Sequence, residues 1–362
     1  MSGRSDTVPA HGGLLERELA ELGVEAAEIV DFSVNVNHYG PSPVVLGALR
    51  AAPVSSYPDP TGHRARCVLG EALAVASDRI VLGNGAADLL WTLARRVPAG
   101  ATVLVVEPTF SELRRALGQT GVRVVEWRAR REDGFAIDLA AVAERARAEG
   151  ASWLYLCNPN NPTGVALPAA EVDAFARANP RLTIVLDQAF LTLSERSDDL
   201  SYPLADNVVA VRSLTKDHAL AGIRVAYLIA SRELAAGVEV SRPPWTTSAP
   251  AQAAAIAAVS LSGFVDDCRR RLFADRDRLR SALGRLGLLP LSTATTFCLV
   301  PVADGAALRR RLLARHRVLV RDCGTFGLPG FIRLGARPAP DVARLVGALA
   351  VELCAQLAAE GA

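Results

Sequence analysis

Lysine occurs once in this sequence, at position 216, although lysine and arginine together number 40. The other 39 cationic side chains are arginines, since 40 less one lysine leaves 39. Arginine binds phosphate and carboxylate groups well, but its guanidinium stays protonated and forms no imine. Lys216 therefore carries the one side-chain primary amine in the sequence that could condense with an aldehyde.

The neighbours of Lys216 extend this chemistry. Ser213-Leu214-Thr215-Lys216 follows a predicted strand, and Arg224 lies eight residues further on. A hydroxyl group, an amine that can form an imine and a guanidinium group that can bind an anion with two N–H groups are thus expected at one edge of the predicted sheet. Asp187 ends another apolar strand, where a buried carboxylate is costly without a positive partner. A protonated pyridine nitrogen would be such a partner.

Two turns could complete a binding site. Gly83-Asn84-Gly85-Ala86-Ala87-Asp88 follows a strand and opens a helix, where backbone N–H groups can approach a phosphate. Taken alone, this turn is equally typical of an ordinary strand-to-helix connection. The run from Cys157 to Gly164, with two Asn-Pro steps, predicts that asparagine amides, including that of Asn161, lie at the carboxyl edge of the sheet.

Short β-branched runs alternate with amphipathic helical stretches, which predicts an α/β fold with a mainly parallel seven-stranded sheet. The predicted strands are Ile80–Leu82, Thr102–Val106, Arg123–Trp127, Trp153–Cys157, Thr183–Leu186, Val208–Val211 and Arg224–Ile229. We expect an N-terminal arm and helix over residues 1–30 that pack near the small domain, and a large domain over 31–245. The character of the sequence changes after Pro243-Pro244, and we expect a smaller α+β domain over 246–362. The smaller domain contains a long helical region from Pro250 to Leu286 and the predicted strands Phe297–Pro301, Val318–Arg321 and Phe331–Leu334.

The composition restricts the protein class. Half of the 362 residues are apolar and the formal net charge is +2, which is typical of a globular protein and disfavours nucleic acid as a partner. The sequence has no apolar run long enough for a membrane span and no stretch resembling a signal peptide. Six scattered cysteines without a C-x-x-C pair predict buried thiols in a cytoplasmic protein rather than a zinc site.

In its order of motifs, the chain resembles the fold type I pyridoxal-phosphate enzymes of the aspartate aminotransferase superfamily. The resemblance implies pyridoxal 5′-phosphate as cofactor, Lys216 as the Schiff-base lysine and Asp187 as the partner of the pyridine nitrogen. It implies further cofactor contacts by Asn161 at O3′, by Phe110 stacked on the ring, and by Ser213, Arg224 and the amides of Gly85 and Ala86 at the phosphate. Tyr57 would reach the cofactor of a partner subunit, which implies a homodimer.

Within that superfamily, several segments are similar to L-threonine-O-3-phosphate decarboxylases of cobalamin biosynthesis and to histidinol-phosphate aminotransferases. These segments are His11-Gly12-Gly13, Asp31 to Asn37, Arg212 to Lys216, Pro244-Trp245, Val320 to Cys323 and Phe331 to Leu334. The resemblance implies a substrate phosphate surrounded by His11, Asn35 and Arg321, and an α-carboxylate held by Arg333. Gln188 and the pair Asp217-His218 depart from the usual residues beside the cofactor or the substrate entrance.

The reaction depends on which bond at the substrate Cα stands perpendicular to the cofactor ring. If binding of the substrate phosphate turns the substrate carboxylate perpendicular to the ring plane, loss of CO2 is favoured. If the carboxylate is held in the ring plane, transamination is favoured. We expect decarboxylation of a phosphorylated amino acid first, and a histidinol-phosphate type of aminotransferase as the alternative. A catalytically idle protein of the same fold, acting as a regulator or binding partner, is a minor third reading.

Overall fold

The computed structural model describes residues 11–201 and 203–360, so Met1–Ala10 of the expected N-terminal arm lie outside the described residues. The α-helices of this part are α1 Glu16–Leu22, α2 Pro43–Ala51, α3 His63–Leu73, α4 Ala86–Arg96, α5 Glu112–Leu117, α6 Leu139–Ala148, α7 Ala169–Ala178, α8 Leu214–Asp217, α9 Arg232–Val240, α10 Ala249–Val259, α11 Ser262–Arg285, α12 Gly305–His316 and α13 Ala339–Glu360. The strands are β1 Val30–Asp31, β2 Ile80–Gly83, β3 Thr102–Glu107, β4 Arg123–Arg128, β5 Trp153–Cys157, β6 Thr183–Asp187, β7 Val208–Ser213, β8 Ala226–Ile229, β9 Phe297–Pro301, β10 Val318–Leu319, β11 Arg321–Asp322 and β12 Phe331–Gly335.

The chain divides into two compact units. The larger unit contains residues 36–271, and the smaller unit combines the segment up to residue 35 with residues 272 onward. The division falls inside α11 rather than at the expected position after residue 245. Helix α10 belongs to the larger unit because its buried alanines, such as Ala254 and Ala255, share a core with Val45 and Leu69 of α2 and α3.

The larger unit contains a seven-stranded sheet in the order β2-β8-β7-β6-β5-β3-β4. Strand β8 is antiparallel to both of its neighbours, and the pairings among β7, β6, β5, β3 and β4 are parallel. The carboxyl ends of the parallel strands meet at one edge, and β2, which is antiparallel to β8, also ends there. The residues just before β8 reach the same edge, because β8 runs in the opposite direction.

Both faces of this sheet are covered, which explains why its strands are continuously apolar. Along β3, Val103 and Val105 pack into a core shared with α4, α5 and α9, while Leu104 and Val106 pack into a core shared with α6 and α7. This alternation follows from the two-residue period of a strand. The sheet is therefore a rigid support for the loops at its carboxyl edge.

The smaller unit is built on an antiparallel sheet in the order β11-β12-β9 and on a parallel pair formed by β1 and β10. Its core joins Phe32 with residues of α11, α12 and α13, among them Leu283, Leu312 and Leu345. The segment after β1 is held in this unit because the Gly335 amide donates to the Phe32 carbonyl at 2.9 Å.

Three details differ from the sequence expectations. The helical region from Pro250 to Leu286 is two helices, α10 and α11, because Ser260 ends the first. The strand expected at Val318–Arg321 is divided between β10 and β11, which pair with different strands. Four cysteines are buried as expected, but Cys67 and Cys354 are exposed. No helix among the described residues is long and apolar enough to cross a membrane.

Candidate active site

A cleft opens at the carboxyl edge of the seven-stranded sheet. It is lined by Ala86, Ala87, Phe110, Cys157, Asn161, Asp187, Ala189, Phe190, Ser213, Thr215, Lys216 and Arg224. These residues lie at or just after the ends of five strands, except Arg224, which precedes β8. The cleft thus brings together seven of the residues expected to contact the cofactor, from segments up to 138 positions apart (224 − 86).

Asp187 forms the buried floor of the cleft, with 2% of its surface exposed. Its Oδ2 accepts a hydrogen bond from the Tyr155 hydroxyl at 2.9 Å, and its Oδ1 accepts one from the Ala189 amide at 3.0 Å. Burial raises the pKa of Asp187, and these two donors and the charge of Lys216 partly offset that rise. A cation placed against this carboxylate would stabilise its charged form.

The opposite part of the cleft is suited to an anion. Gly85 precedes α4 with φ 79°, and a side chain at this position would collide with the guanidinium of Arg224. The Arg224 guanidinium therefore lies over the start of α4, where backbone N–H groups are unpaired within the helix. Ser213 Oγ lies 2.6 Å from Thr215 Oγ1, so two hydroxyls border the same cleft.

Lys216 is half-buried, and its Nζ lies 5.8 Å from the centroid of the Phe190 ring. Asn161 is buried, with 6% of its surface exposed, and Phe110 is half-buried at the cleft wall. The Asn160 side chain donates to the Pro108 carbonyl at 2.8 Å. This bond ties the loop that carries Asn161 to the one that carries Phe110.

A buried arginine supports the turn that leads into α4. The Arg242 side chain is 5% exposed and donates to the Leu82 carbonyl and, at 3.3 Å, to Asp88 Oδ2. The same Asp88 oxygen accepts from the Asn84 amide at 3.0 Å. Arg242 therefore links the end of β2 to the first turn of α4, on either side of Gly85.

The smaller unit contains a separate cluster of two buried arginines. Arg321 and Arg333 are directly opposite one another in the β11–β12 pair, so their side chains leave the same face. Burial lowers the pKa of both guanidinium groups, that of Arg333 to about 10. Asn35 is in the same unit, with 5% of its surface exposed, and neither polar atom of its amide has a hydrogen-bond partner among the described residues. An anion would offset the desolvation of these charges.

The positions of His11 and Tyr57 differ from those of the other expected site residues. The His11 side chain is exposed. The segment that follows it is held by a hydrogen bond of 2.7 Å from the Gly13 amide to Ser33 Oγ. Tyr57 does not line the cleft: its side chain is 82% exposed and stacks on Trp245, with ring centroids 4.9 Å apart. A role for Tyr57 in a partner subunit's site stays a prediction.

Three contributors to the site were missed from the sequence. Tyr155 had a usable signal, since a hydroxyl in a buried apolar strand needs a hydrogen-bond partner. Thr215 stands between two chosen residues, so its proximity to the cleft could have been inferred. Arg242 gave no signal, because its partner Asp88 lies 154 positions away in the sequence.

The donor set fits pyridoxal 5′-phosphate. The carboxylate of Asp187 suits a protonated pyridine nitrogen, and the sole lysine offers an amine to the aldehyde. The start of α4 at Gly85 and Ala86, bordered by Arg224 and Ser213, suits the phosphate. Among the described residues, no group of three or more histidine, cysteine or acidic side chains could hold a metal ion.

Comparisons with known proteins agree with this geometry. The model of the family "Aminotransferase class I and II" matches residues 27–349. Histidinol-phosphate aminotransferase 2 of Ralstonia nicotianae is 35% identical over 343 residues, which cover 91% of this chain and 90% of that protein. The adenosylcobalamin biosynthesis bifunctional protein CobDQ of Leptospira interrogans is 26% identical over 94% of this chain and 41% of that protein.

Among solved structures, the histidinol-phosphate aminotransferase of Sinorhizobium meliloti in complex with pyridoxal 5′-phosphate superimposes with a TM-score of 0.84. It is 28% identical, and the match covers 96% of this chain and 98% of that chain. The expected fold type I architecture is thereby confirmed. The chain belongs to the aminotransferase class I and II family of pyridoxal-phosphate enzymes.

Proposed function

We propose that this protein is an aminotransferase of the histidinol-phosphate type, which transfers the amino group of a phosphorylated amine to a 2-oxo acid. The observation that carries the proposal is the joint placement of Lys216, Asp187 and Arg224 in one cleft. The substrate class is supported by the relatives named histidinol-phosphate aminotransferase, at 35% and 34% identity. The decarboxylase expected first has less support than this alternative.

Pyridoxal 5′-phosphate is the cofactor, and when bound it supplies an electron sink for bond cleavage at the substrate Cα. Asp187 would hold the proton on the pyridine nitrogen. Arg224, Ser213 and the amides of Gly85 and Ala86 would bind the phosphate, and Phe110 and Asn161 would contact the ring. Lys216 Nζ would move the proton at the substrate Cα.

The cluster of the smaller unit is assigned to the anionic groups of the substrates. We propose that Arg321, Asn35 and His11 bind a substrate phosphate and that Arg333 binds a carboxylate. Arg333 is already oriented by a 2.6 Å bond from its Nη2 to the Ser33 carbonyl, and Arg321 by a 2.6 Å bond to Thr325 Oγ1. Forked guanidinium groups held in this way suit tetrahedral and planar oxyanions.

Decarboxylation of a phosphorylated amino acid is kept as the second candidate because a relative is named for adenosylcobalamin biosynthesis. The two reactions are separated by incubating the protein with histidinol phosphate plus 2-oxoglutarate, with O-phosphothreonine, and with O-phosphoserine. Histidinol phosphate has no carboxylate to lose, so glutamate formed from this mixture reports transamination alone. CO2 release from O-phosphothreonine without glutamate formation would replace the proposal by the decarboxylase, and no product from any mixture would favour the idle protein.

A further inference from the structure

Helix α8 carries Lys216 and is only four residues long. The last four carbonyl groups of an α-helix have no partner within the helix, so every carbonyl of α8 depends on groups outside it. Lys216 and Asp217 are its last two residues. The orientation of the peptide group that joins them determines the direction in which the Lys216 side chain leaves the backbone. Asp217 is buried, so its carbonyl cannot rely freely on water.

Asn37, 179 positions before Lys216 in the chain (216 − 37), satisfies both of these carbonyls. Its backbone amide donates to the Lys216 carbonyl at 2.9 Å, and its Nδ2 donates to the Asp217 carbonyl at 2.8 Å. Asn37 is itself oriented, since its Oδ1 accepts from the Tyr39 amide at 2.9 Å. Only 1% of its surface is exposed, so these bonds are shielded from competing water.

We propose that Asn37 is a positioning residue for Lys216. By binding the carbonyls of the two successive peptide groups that follow the Lys216 Cα, it fixes the backbone from which the reactive amine extends. The amine has four methylene groups between Cα and Nζ, so a tilt of this peptide changes the amine's reach to an aldehyde. This inference rests on the assignment of Lys216 as the imine-forming residue, but not on the choice of substrate.

A purely structural role would have a different signature. Asn207 is a matched case in the same unit: its Nδ2 donates to the carbonyls of Ala176, Asn179 and Leu182 at 3.1, 3.2 and 2.9 Å. Like Asn37, it binds carbonyls near the end of a helix, because Ala176 is in the last turn of α7 and Asn179 directly follows α7. It lies just before β7, at the edge of the sheet opposite to the cleft. Loss of the Asn207 donor should weaken the fold without changing the reactivity of Lys216.

The test compares two ligands. Pyridoxine 5′-phosphate has the ring and the phosphate of pyridoxal 5′-phosphate but no aldehyde, so the ratio of the two dissociation constants isolates the reaction with Lys216. Asn37→Asp keeps the acceptor for Tyr39 and removes the donor to the Asp217 carbonyl, and Asn37→Ala removes both side-chain bonds. We expect either variant to lower the preference for pyridoxal 5′-phosphate about tenfold, and Asn207→Asp to leave it unchanged.

An unchanged ratio of the two dissociation constants in the Asn37 variants would overturn the proposal. This includes the case in which the affinities for both ligands fall equally. Should the buried carboxylate of Asn37→Asp prevent folding, Asn37→Ala decides the question, because it retains the backbone bond to the Lys216 carbonyl. Lys216→Ala sets the lower limit of the preference. If Lys216→Ala leaves the preference intact, the assignment of Lys216 fails, and that result is distinct from an effect of Asn37.

Discussion

Replacing Asp187 by asparagine tests the electrostatic basis of the site. The substitution preserves the shape of the side chain, and an amide can still interact with the Tyr155 hydroxyl and the Ala189 amide. The change therefore removes a charge and little else. Two effects of opposite sign are expected, one on catalysis and one on the stability of the cofactor-free protein.

The catalytic effect follows from the charge pair with the pyridine nitrogen. Two opposite charges about 4 Å apart attract by about 4 kcal/mol at an effective dielectric constant of about 20. That energy would raise the pKa of the ring nitrogen by about 3 units. Only part of it reaches the transition state, so we expect at least about a hundredfold loss of turnover, or about 3 kcal/mol.

The stability effect has the opposite sign. Burial raises the pKa of Asp187 in the folded state, so the folded protein binds this proton more tightly than the unfolded chain does. The contribution of Asp187 to the stability of the cofactor-free protein therefore decreases as the pH rises from the unfolded pKa through the raised folded pKa. Asp187→Asn should remove this decrease and make the cofactor-free protein more stable by about 1–2 kcal/mol near neutral pH.

Both effects are measured on one pair of variants. Turnover is assayed with histidinol phosphate and 2-oxoglutarate, and thermal unfolding of the cofactor-free protein is followed from about pH 4 to pH 8. Asp173→Asn is the control, because Asp173 is buried on α7 and its Oδ2 pairs with Arg177 at 2.8 Å, away from the cleft. Near-normal turnover of Asp187→Asn, or a cofactor-free variant much less stable than the wild type, would refute the reasoning.

Three further predictions concern other parts of the molecule. Borohydride reduction of the protein with bound cofactor should label one side chain, and Lys216→Ala should abolish that label, leaving at most the N-terminal amine; a label elsewhere contradicts the assignment. Arg242→Met should weaken binding of pyridoxal 5′-phosphate about tenfold and binding of pyridoxal much less, because it removes the hydrogen bonds that hold the turn before α4. Arg232→Met, which breaks an exposed ion pair with Asp78, should change neither affinity. Mixed Tyr57→Ala and Lys216→Ala subunits should regain partial activity if the site is shared in a homodimer, and no recovery after confirmed subunit exchange would argue against sharing.

Much of the cleft could be predicted, because it depends on which residues stand at the end of each apolar strand in the sequence. Apolar strands that end in Asp187 or Ser213 imply parallel neighbours, and the carboxyl ends of parallel strands must meet at one edge. The remaining contacts depend on distant pairings that local periodicity does not encode. Asn37 contacts the segment of Lys216 across 180 positions, and the Tyr155 hydroxyl reaches a carboxylate 32 positions away.

The division of the chain was harder to predict, because a proline pair looked like a boundary. Pro243-Pro244 does end a helical region, but α10 after it contributes Ala254 and other small residues to the core of the larger unit. Alanine-rich helices pack closely against their neighbours, and the sequence does not show which neighbour they choose. The N-terminal segment, by contrast, was expected near the small domain, and in the structure Val30 pairs with Val318 of the smaller unit.

The placement of the sole lysine in the cleft has a consequence for proteolysis. A protease that cleaves after lysine would cut these 362 residues once, at the bond between Lys216 and Asp217. That bond lies in α8, and Asn37 binds both its own carbonyl, that of Lys216, and the next carbonyl, that of Asp217. Cleavage would therefore report local opening of the active site itself, and the appearance of two fragments would measure how strongly a bound ligand closes it.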